Sequence, residues 1–131
     1  MAVERGNIAM VELLLKHGAD VNRLNEDHGN RSALFTAVKQ NRPVLVAMLI
    51  EAKADVNARQ KDDRRSPLCN ASRWGLVDIA QLLIAAGADV NQESSFVNNA
   101  CEGTPLLMAS YRGELEIAQM LIENGADLEG W

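Results

Sequence analysis

The pentapeptide Gly-Ala-Asp-Val-Asn stands at Gly18–Asn22 and again at Gly87–Asn91, with close variants at Lys53–Asn57 and Gly125–Glu129. Aligned on Ala19, Ala54, Ala88 and Ala126, the copies are separated by 35, 34 and 38 residues. A second phrase keeps step with the first: Arg-Ser-Ala-Leu-Phe-Thr-Ala-Val-Lys from Arg31, Arg-Ser-Pro-Leu-Cys-Asn-Ala-Ser-Arg from Arg65, and Gly-Thr-Pro-Leu-Leu-Met-Ala-Ser-Tyr from Gly103. Two phrases in one register make the chain an internal repeat. Such a chain folds as one unit stacked on copies of itself.

Each unit reads as two short helices. Ser32, Ser66 and Thr104 suit an N-cap, where a hydroxyl accepts from a free helix N–H. Pro67 and Pro105 then fall at the first helical position, where the missing N–H does no harm. The first helix stops at Gly6, Asn41, Gly75 or Gly113, residue types that tolerate a left-handed backbone. The second helix is densely apolar, as in Ile8–Leu15, Val44–Ile50, Val77–Ile84 and Leu115–Ile122, and so predicts cover on more than one side. It ends at Gly18, Gly87 or Gly125. Lys53 is the exception and would enter the same left-handed turn at a cost of ~1 kcal/mol. A helix pair of this size leaves its apolar faces open, so neighbouring pairs stack to bury them. Low aromatic content, 4%, fits close helix packing better than large cross-strand pairs. The fold class is therefore all-α, a solenoid of helix-turn-helix units joined by extended, hairpin-like loops.

Together the two phrases resemble the ankyrin repeat, whose period is about 33 residues, and the resemblance covers essentially the whole chain. It divides residues 1–131, read as a single domain, into a partial repeat at 1–26 and further repeats at 27–60, 61–93 and 94–131. Several positions depart from the family pattern. Its usual His after Thr-Pro-Leu is Phe35, Cys69 and Leu107 here, so apolar burial is expected to replace the hydrogen bonds of that His. Repeat two carries Ala33 for Pro and Lys53 for Gly, which marks it as the soft repeat. Met1 falls inside what would be a first helix, and the last second helix still reads Ile-Ala-Gln-Met-Leu-Ile, so a fragment of a longer array or a truncated one is expected.

The chemistry of enzymes finds little purchase. His17 and His28 lie in no phrase that pairs a base with an orienting residue, and both are expected at the surface. Cys69 suits a small buried hydrophobe, and Cys101 falls in a loop. Neither cysteine has metal or redox spacing, and two thiols in so short a chain fit a reducing compartment, the cytoplasm or nucleus. There is no phosphate-binding glycine loop, and Asp62 and Asp63 beside Arg64 and Arg65 read as a solvated loop tip. No enzyme activity, cofactor or metal is expected. No apolar run reaches the ~20 residues that span a bilayer. The formal charge of -5 argues against a general nucleic-acid binder.

The resemblance also locates binding. Arrays of this family are cupped, with loops as fingers, first helices as palm and second helices as convex back, and partners usually meet fingers and palm. The two residues before each inter-helix Gly or Asn then face the concave side: Glu4 and Arg5, Lys39 and Gln40, Arg73 and Trp74, Tyr111 and Arg112. That row is basic and aromatic, whereas the second helices and their starts carry Glu12, Glu51, Asp78, Glu114, Glu116 and Glu123. Arg, Trp and Tyr are enriched at binding hot spots. The alternative is that Trp74 and Tyr111 merely cover neighbouring helix. The fingers add His28 and Arg31, Asp62, Asp63 and Arg65, and, on the longest loop, Phe96 with Val97.

The favoured function is thus a protein-interaction module, an adaptor, scaffold or inhibitor, that holds an acidic or extended partner segment in its groove; the chain itself is expected to be monomeric. Two alternatives are a regulatory or targeting part of a larger enzyme or channel, and a nucleic-acid contact through the basic palm, which the acidic back opposes. The resemblance further makes Asn22, Asn57 and Asn91 candidates for asparaginyl hydroxylation, each with a Leu eight residues before it, Leu14, Leu49 and Leu83. The simpler role for each Asn is to hydrogen-bond its own turn.

Overall fold

Why each unit begins where it does is visible at the helix caps. In the computed structural model, which describes residues 7–24, 31–59, 65–94 and 103–130, Ser32, Ser66 and Thr104 have extended backbones. Their side-chain oxygens accept from the N–H groups of Phe35, Cys69 and Leu107 at 3.1, 3.1 and 3.3 Å. These caps open three first helices: α2 (Ala33–Lys39), α4 (Pro67–Trp74) and α6 (Pro105–Arg112). The second helices are α1 (Ile8–Lys16), α3 (Pro43–Glu51), α5 (Val77–Ala85) and α7 (Leu115–Glu123). A 3-10 turn at Leu128–Gly130 follows the last of them.

The helix ends obey one geometry. After α1, the N–H groups of Gly18 and Ala19 donate to the carbonyls of Leu15 and Leu14. Lys53 and Ala54, Gly87 and Ala88, and Gly125 and Ala126 repeat the pattern. This doubly bonded C-cap needs a left-handed residue. Lys53 supplies it at φ 69°, as Asn41 does at φ 52° between α2 and α3, so the strain expected at Lys53 is present.

Stacking follows from the apolar stripes. α2, α4 and α6 pack side by side in one layer, α3, α5 and α7 in the other, and within each unit α2 packs on α3, α4 on α5 and α6 on α7. Leu45, Ile79 and Ile117 hold one register position in the second layer, and Leu49, Leu83 and Leu121 another; all six are fully buried. The first unit differs. Met10 and Leu14 stand at those two positions and are 45% and 46% exposed, and only Val11 of α1 is buried. The expectation that every second helix is covered on more than one side therefore fails at α1. The element that covers the other three is the preceding helix of the same unit, and residues 1–6 lie outside those described.

The departures at the family's His position resolve differently in each unit. Phe35 and Cys69 are buried, whereas Leu107 is only half-buried. Apolar burial is not the whole account, because the Cys69 thiol also points its weak donor at the carbonyls of Gln92, 3.6 Å away, and Gly103, 4.0 Å away. Both acceptors belong to the connection into the next unit. Burial pushes the Cys69 thiol above its ordinary pKa, against smaller opposing effects of bonds to Ser66 and Ser94 and the charge of Arg59. The neck of the long loop is fixed by an antiparallel bridge in which Ser94 and Gly103 exchange N–H···O bonds of 2.9 and 3.0 Å.

Candidate functional site

The register places the candidate residues in two rows across the first-helix layer. Lys39, Arg73 and Tyr111 hold one position on successive helices, and Gln40, Trp74 and Arg112 the next. Because α4 and α6 lie side by side, Trp74 meets the residue at its own position on the neighbouring helix. The Arg112 Cζ lies 5.5 Å from the Trp74 ring centroid, and the Arg73 Cζ lies 5.1 Å from it. Both fall within the range at which a guanidinium is attracted by the ring quadrupole, about 6 Å.

Trp74 is 55% exposed and Tyr111 67%. Lys39, Gln40 and Arg112 are exposed, and Arg73 is half-buried. The turn beside this cluster is tight. Gly75, at φ 66°, ends α4, and a Cβ there would stand 2.7 Å from the Glu114 carboxylate. Glu114 is thus the acidic group set over the end of the helix that carries Arg73 and Trp74. Arg31 and Arg65 are half-buried at the base of their loops, directly before the N-caps Ser32 and Ser66, with Nε shielded from solvent; they belong to the finger bases. Arg5 and Phe96 lie outside the described residues, as do Glu4, Val97, His28, Asp62, Asp63 and Cys101. His17 caps α1 and is exposed, as expected.

The asparagines have a role that the sequence did not give. Asn22 Oδ1 accepts from the N–H of Asp55 at 2.7 Å, and its Nδ2 donates to the Lys53 carbonyl at 3.2 Å. Asn57 Oδ1 accepts from Asp89 N–H at 2.7 Å. Asn91 accepts from Asp127 N–H at 2.7 Å and donates to the Gly125 carbonyl at 3.2 Å. Each Asn therefore ties its turn to the next unit. The bond within the turn is made instead by the Asp two residues earlier, where Asp20, Asp55 and Asp89 accept from the N–H groups of Asn22, Asn57 and Asn91 at 2.9, 3.0 and 2.9 Å. Glu129 closes the series on Asp127 in the same way, at 2.9 Å.

Asn70 was also missed. It lies one helical turn before Trp74 and is 2% exposed, and its Oδ1 finds no hydrogen-bond partner among the described residues. The same register position holds Thr36 and Met108 on the neighbouring helices, both buried. On the other layer, a shallow groove between α1 and α3 is lined by Leu15, Val44, Ala47 and Met48, with Glu12 and Glu51 at its edge. Among the described residues no group of three His, Cys, Asp or Glu side chains could hold a metal ion, and no helix is long and apolar enough to cross a membrane.

Comparison with known proteins agrees with this architecture. The family model of ankyrin repeats (3 copies) matches residues 1–94 and 60–130. The glycerophosphocholine phosphodiesterase gde1 of Schizosaccharomyces pombe is 38% identical over 86 residues, 66% of this chain and 7% of that protein. The nuclear factor NF-kappa-B p105 subunit of Gallus gallus is 37% identical over 95 residues, 72% of this chain and 10% of that protein. The human ankyrin repeat and SOCS box protein 6 is 37% identical over 89 residues, 67% of this chain and 21% of that protein. The chain thus spans about a fifth or less of the length of these relatives.

Proposed function

The chain belongs to the ankyrin repeat family, and on that footing we propose that it is a non-enzymatic protein-interaction module, an adaptor, scaffold or inhibitor, that holds an extended partner segment across its first-helix layer. One observation carries the proposal: Trp74 stands half-exposed with the guanidiniums of Arg73 and Arg112 gathered at its ring. An exposed indole flanked by arginines is costly to leave in water and typical of interface anchors. Lys39, Gln40 and Tyr111 extend the surface along the row, and Arg31 and Arg65 stand at the bases of its fingers; Arg5 and Phe96, outside the described residues, stay candidates from the sequence alone. The partner is a protein or peptide, acidic or extended, rather than nucleic acid or a membrane interior, and the chain works as a monomer in the cytoplasm or nucleus without a cofactor.

The test is a pull-down from source lysate with the wild-type chain and with an Arg73→Glu, Trp74→Ala, Arg112→Glu variant that circular dichroism finds folded. Partners lost only by the variant support the groove. Partners retained by both move the site to the fingers or the second-helix layer.

The relatives favour a second reading. Each extends far beyond the matched stretch, and one is named as a phosphodiesterase, so the same surface would serve as a regulatory or targeting unit within a larger enzyme or channel. Hydroxylation at Asn22, Asn57 or Asn91 remains a candidate modification. Since their amides bridge units, the turn would have to leave its neighbour to be modified, and intact-mass analysis after exposure to an asparaginyl hydroxylase would read the added oxygen or its absence.

A further inference from the structure

We infer that the shallow groove between α1 and α3, on the second-helix layer, takes an amphipathic helix with basic flanks from a protein partner. This is a second surface, separate from the one that carries Trp74, and it stands or falls independently of it.

The internal repeat supplies the comparison. On the outward side of α5 and α7, two register positions hold Asp78 and Gln81, and Glu116 and Gln119, and all four side chains are exposed. The same two positions on α3 hold Val44 and Ala47. Val44 is 64% exposed, and both residues line the groove together with half-buried Leu15 and Met48. Since the sister helices stack with polar groups at these positions, stacking itself does not call for an apolar pair. An apolar strip kept in water where the same fold accepts polar residues marks a contact surface.

Charge then selects what covers the strip. The four second helices carry five carboxylates, Glu12, Glu51, Asp78, Glu116 and Glu123, against the single cation Lys16. The three first helices carry Lys39, Arg73 and Arg112 and no carboxylate. The two layers are thus opposite in sign, and a nucleic acid or an anionic membrane is repelled by the second. A helix whose apolar residues recur at i, i+3, i+4 and i+7 can lay that stripe along the groove. Lys or Arg beside the stripe would rest its aliphatic stem on Val44 and bring its charge to Glu12 or Glu51 at the edge. The short side chain of Ala47 keeps the floor low. The walls are fixed beforehand, because Asn22 bonds both the Asp55 N–H and the Lys53 carbonyl and so ties the turns that follow α1 and α3. A groove already in register costs less order when a helix arrives.

The experiment displays a library of helical peptides with an apolar stripe at those spacings and random flanks. It is selected on the intact chain and depleted on Val44→Asp, Ala47→Gln, the variant that gives α3 the outward residues of α5 and should therefore melt close to the wild type. We expect the surviving helices to carry Lys or Arg flanks and to bind the variant at least ~10-fold more weakly, as loss of a buried Val contact implies. Their binding should weaken in Glu12→Gln, Glu51→Gln and with added salt, and stay level in Trp74→Ala. Val44→Thr, which keeps the shape and adds a hydroxyl, should lose part of the affinity and guards against a folding defect in the double variant. A selection that yields no helix able to tell the two chains apart, survivors with neutral or acidic flanks, or survivors lost in Trp74→Ala and not in the Val44 variants would overturn the inference. So would self-association of the wild-type chain in sedimentation velocity that Val44→Asp, Ala47→Gln abolishes, because the occupant would then be a second copy.

Discussion

Replacing Asn91 by Ala removes two hydrogen bonds at once, the 2.7 Å bond from Asp127 N–H and the 3.2 Å bond to the Gly125 carbonyl. An intramolecular hydrogen bond contributes about 0.5–1.5 kcal/mol net. Asn91 and Asp127 are exposed, so water satisfies the freed groups and the lower half of that range applies, about 1–2 kcal/mol for the pair. In a chain of this length each kcal/mol lowers the melting temperature by about 3–5 °C. The location of the effect is the sharper test. In a solenoid each unit touches only its neighbours, so the loss falls on the contact between the third and fourth units. Hydrogen exchange by mass spectrometry should find protection in α6 and α7 reduced by a factor of about 5–30 while α2 and α3 change little. Asn91→Asp keeps the acceptor for Asp127 N–H but sets a carboxylate oxygen against the Gly125 carbonyl, and should destabilise at least as much as Asn91→Ala. Uniform loss of protection along the chain, or none, would refute the assignment of Asn91 as an inter-unit tie.

Three further outcomes follow. Lys53→Gly relieves the left-handed strain at φ 69° and, after the added freedom of Gly in the unfolded chain, should stabilise by about 0.5–1 kcal/mol; a chemical melt that is unchanged or shifted downward would contradict this. Asn70→Met removes a buried oxygen that has no partner among the described residues and matches Met108 at the same register position, so a gain of about 1–2 kcal/mol is expected, and a clear loss would mean that the amide is bonded after all. For Cys69, whose thiol is raised by burial, the unfolded chain ionises first as pH rises. Stability should therefore decline from the ordinary thiol value, near 8.5–9, upward, and in a Cys101→Ser background a thiol reagent at pH 8 should label Cys69 only as fast as the fold opens. Labelling at the rate of a free thiol would count against its burial.

Much of this fold was legible because it is local. Ser32, Ser66 and Thr104 announce caps by residue type, and Gly18, Gly87 and Gly125 announce left-handed ends, so even the odd Lys53 was placed in its strained turn from sequence alone. What escaped depends on a neighbour. Asn57 looks like a turn residue, and nothing in its own segment reveals that its side chain reaches Asp89 in the next unit. The apolar run of α1 reads like that of α5, yet Met10 and Leu14 are exposed where Ile79 and Leu83 are buried. The site was legible only as a row: periodicity placed Trp74 and Arg112 at one position on adjacent helices, but the convergence of both arginines on one ring, and the Glu114 carboxylate over Gly75, required the packing of α4 on α6.

The most direct test of the central claim is to map a captured partner segment on the isotope-labelled chain by NMR. The account predicts that the largest shifts fall on the indole of Trp74, the guanidinium signals of Arg73 and Arg112, and the backbone of α2, α4 and α6. Shifts centred on α3, α5 and α7, with Trp74 silent, would contradict it.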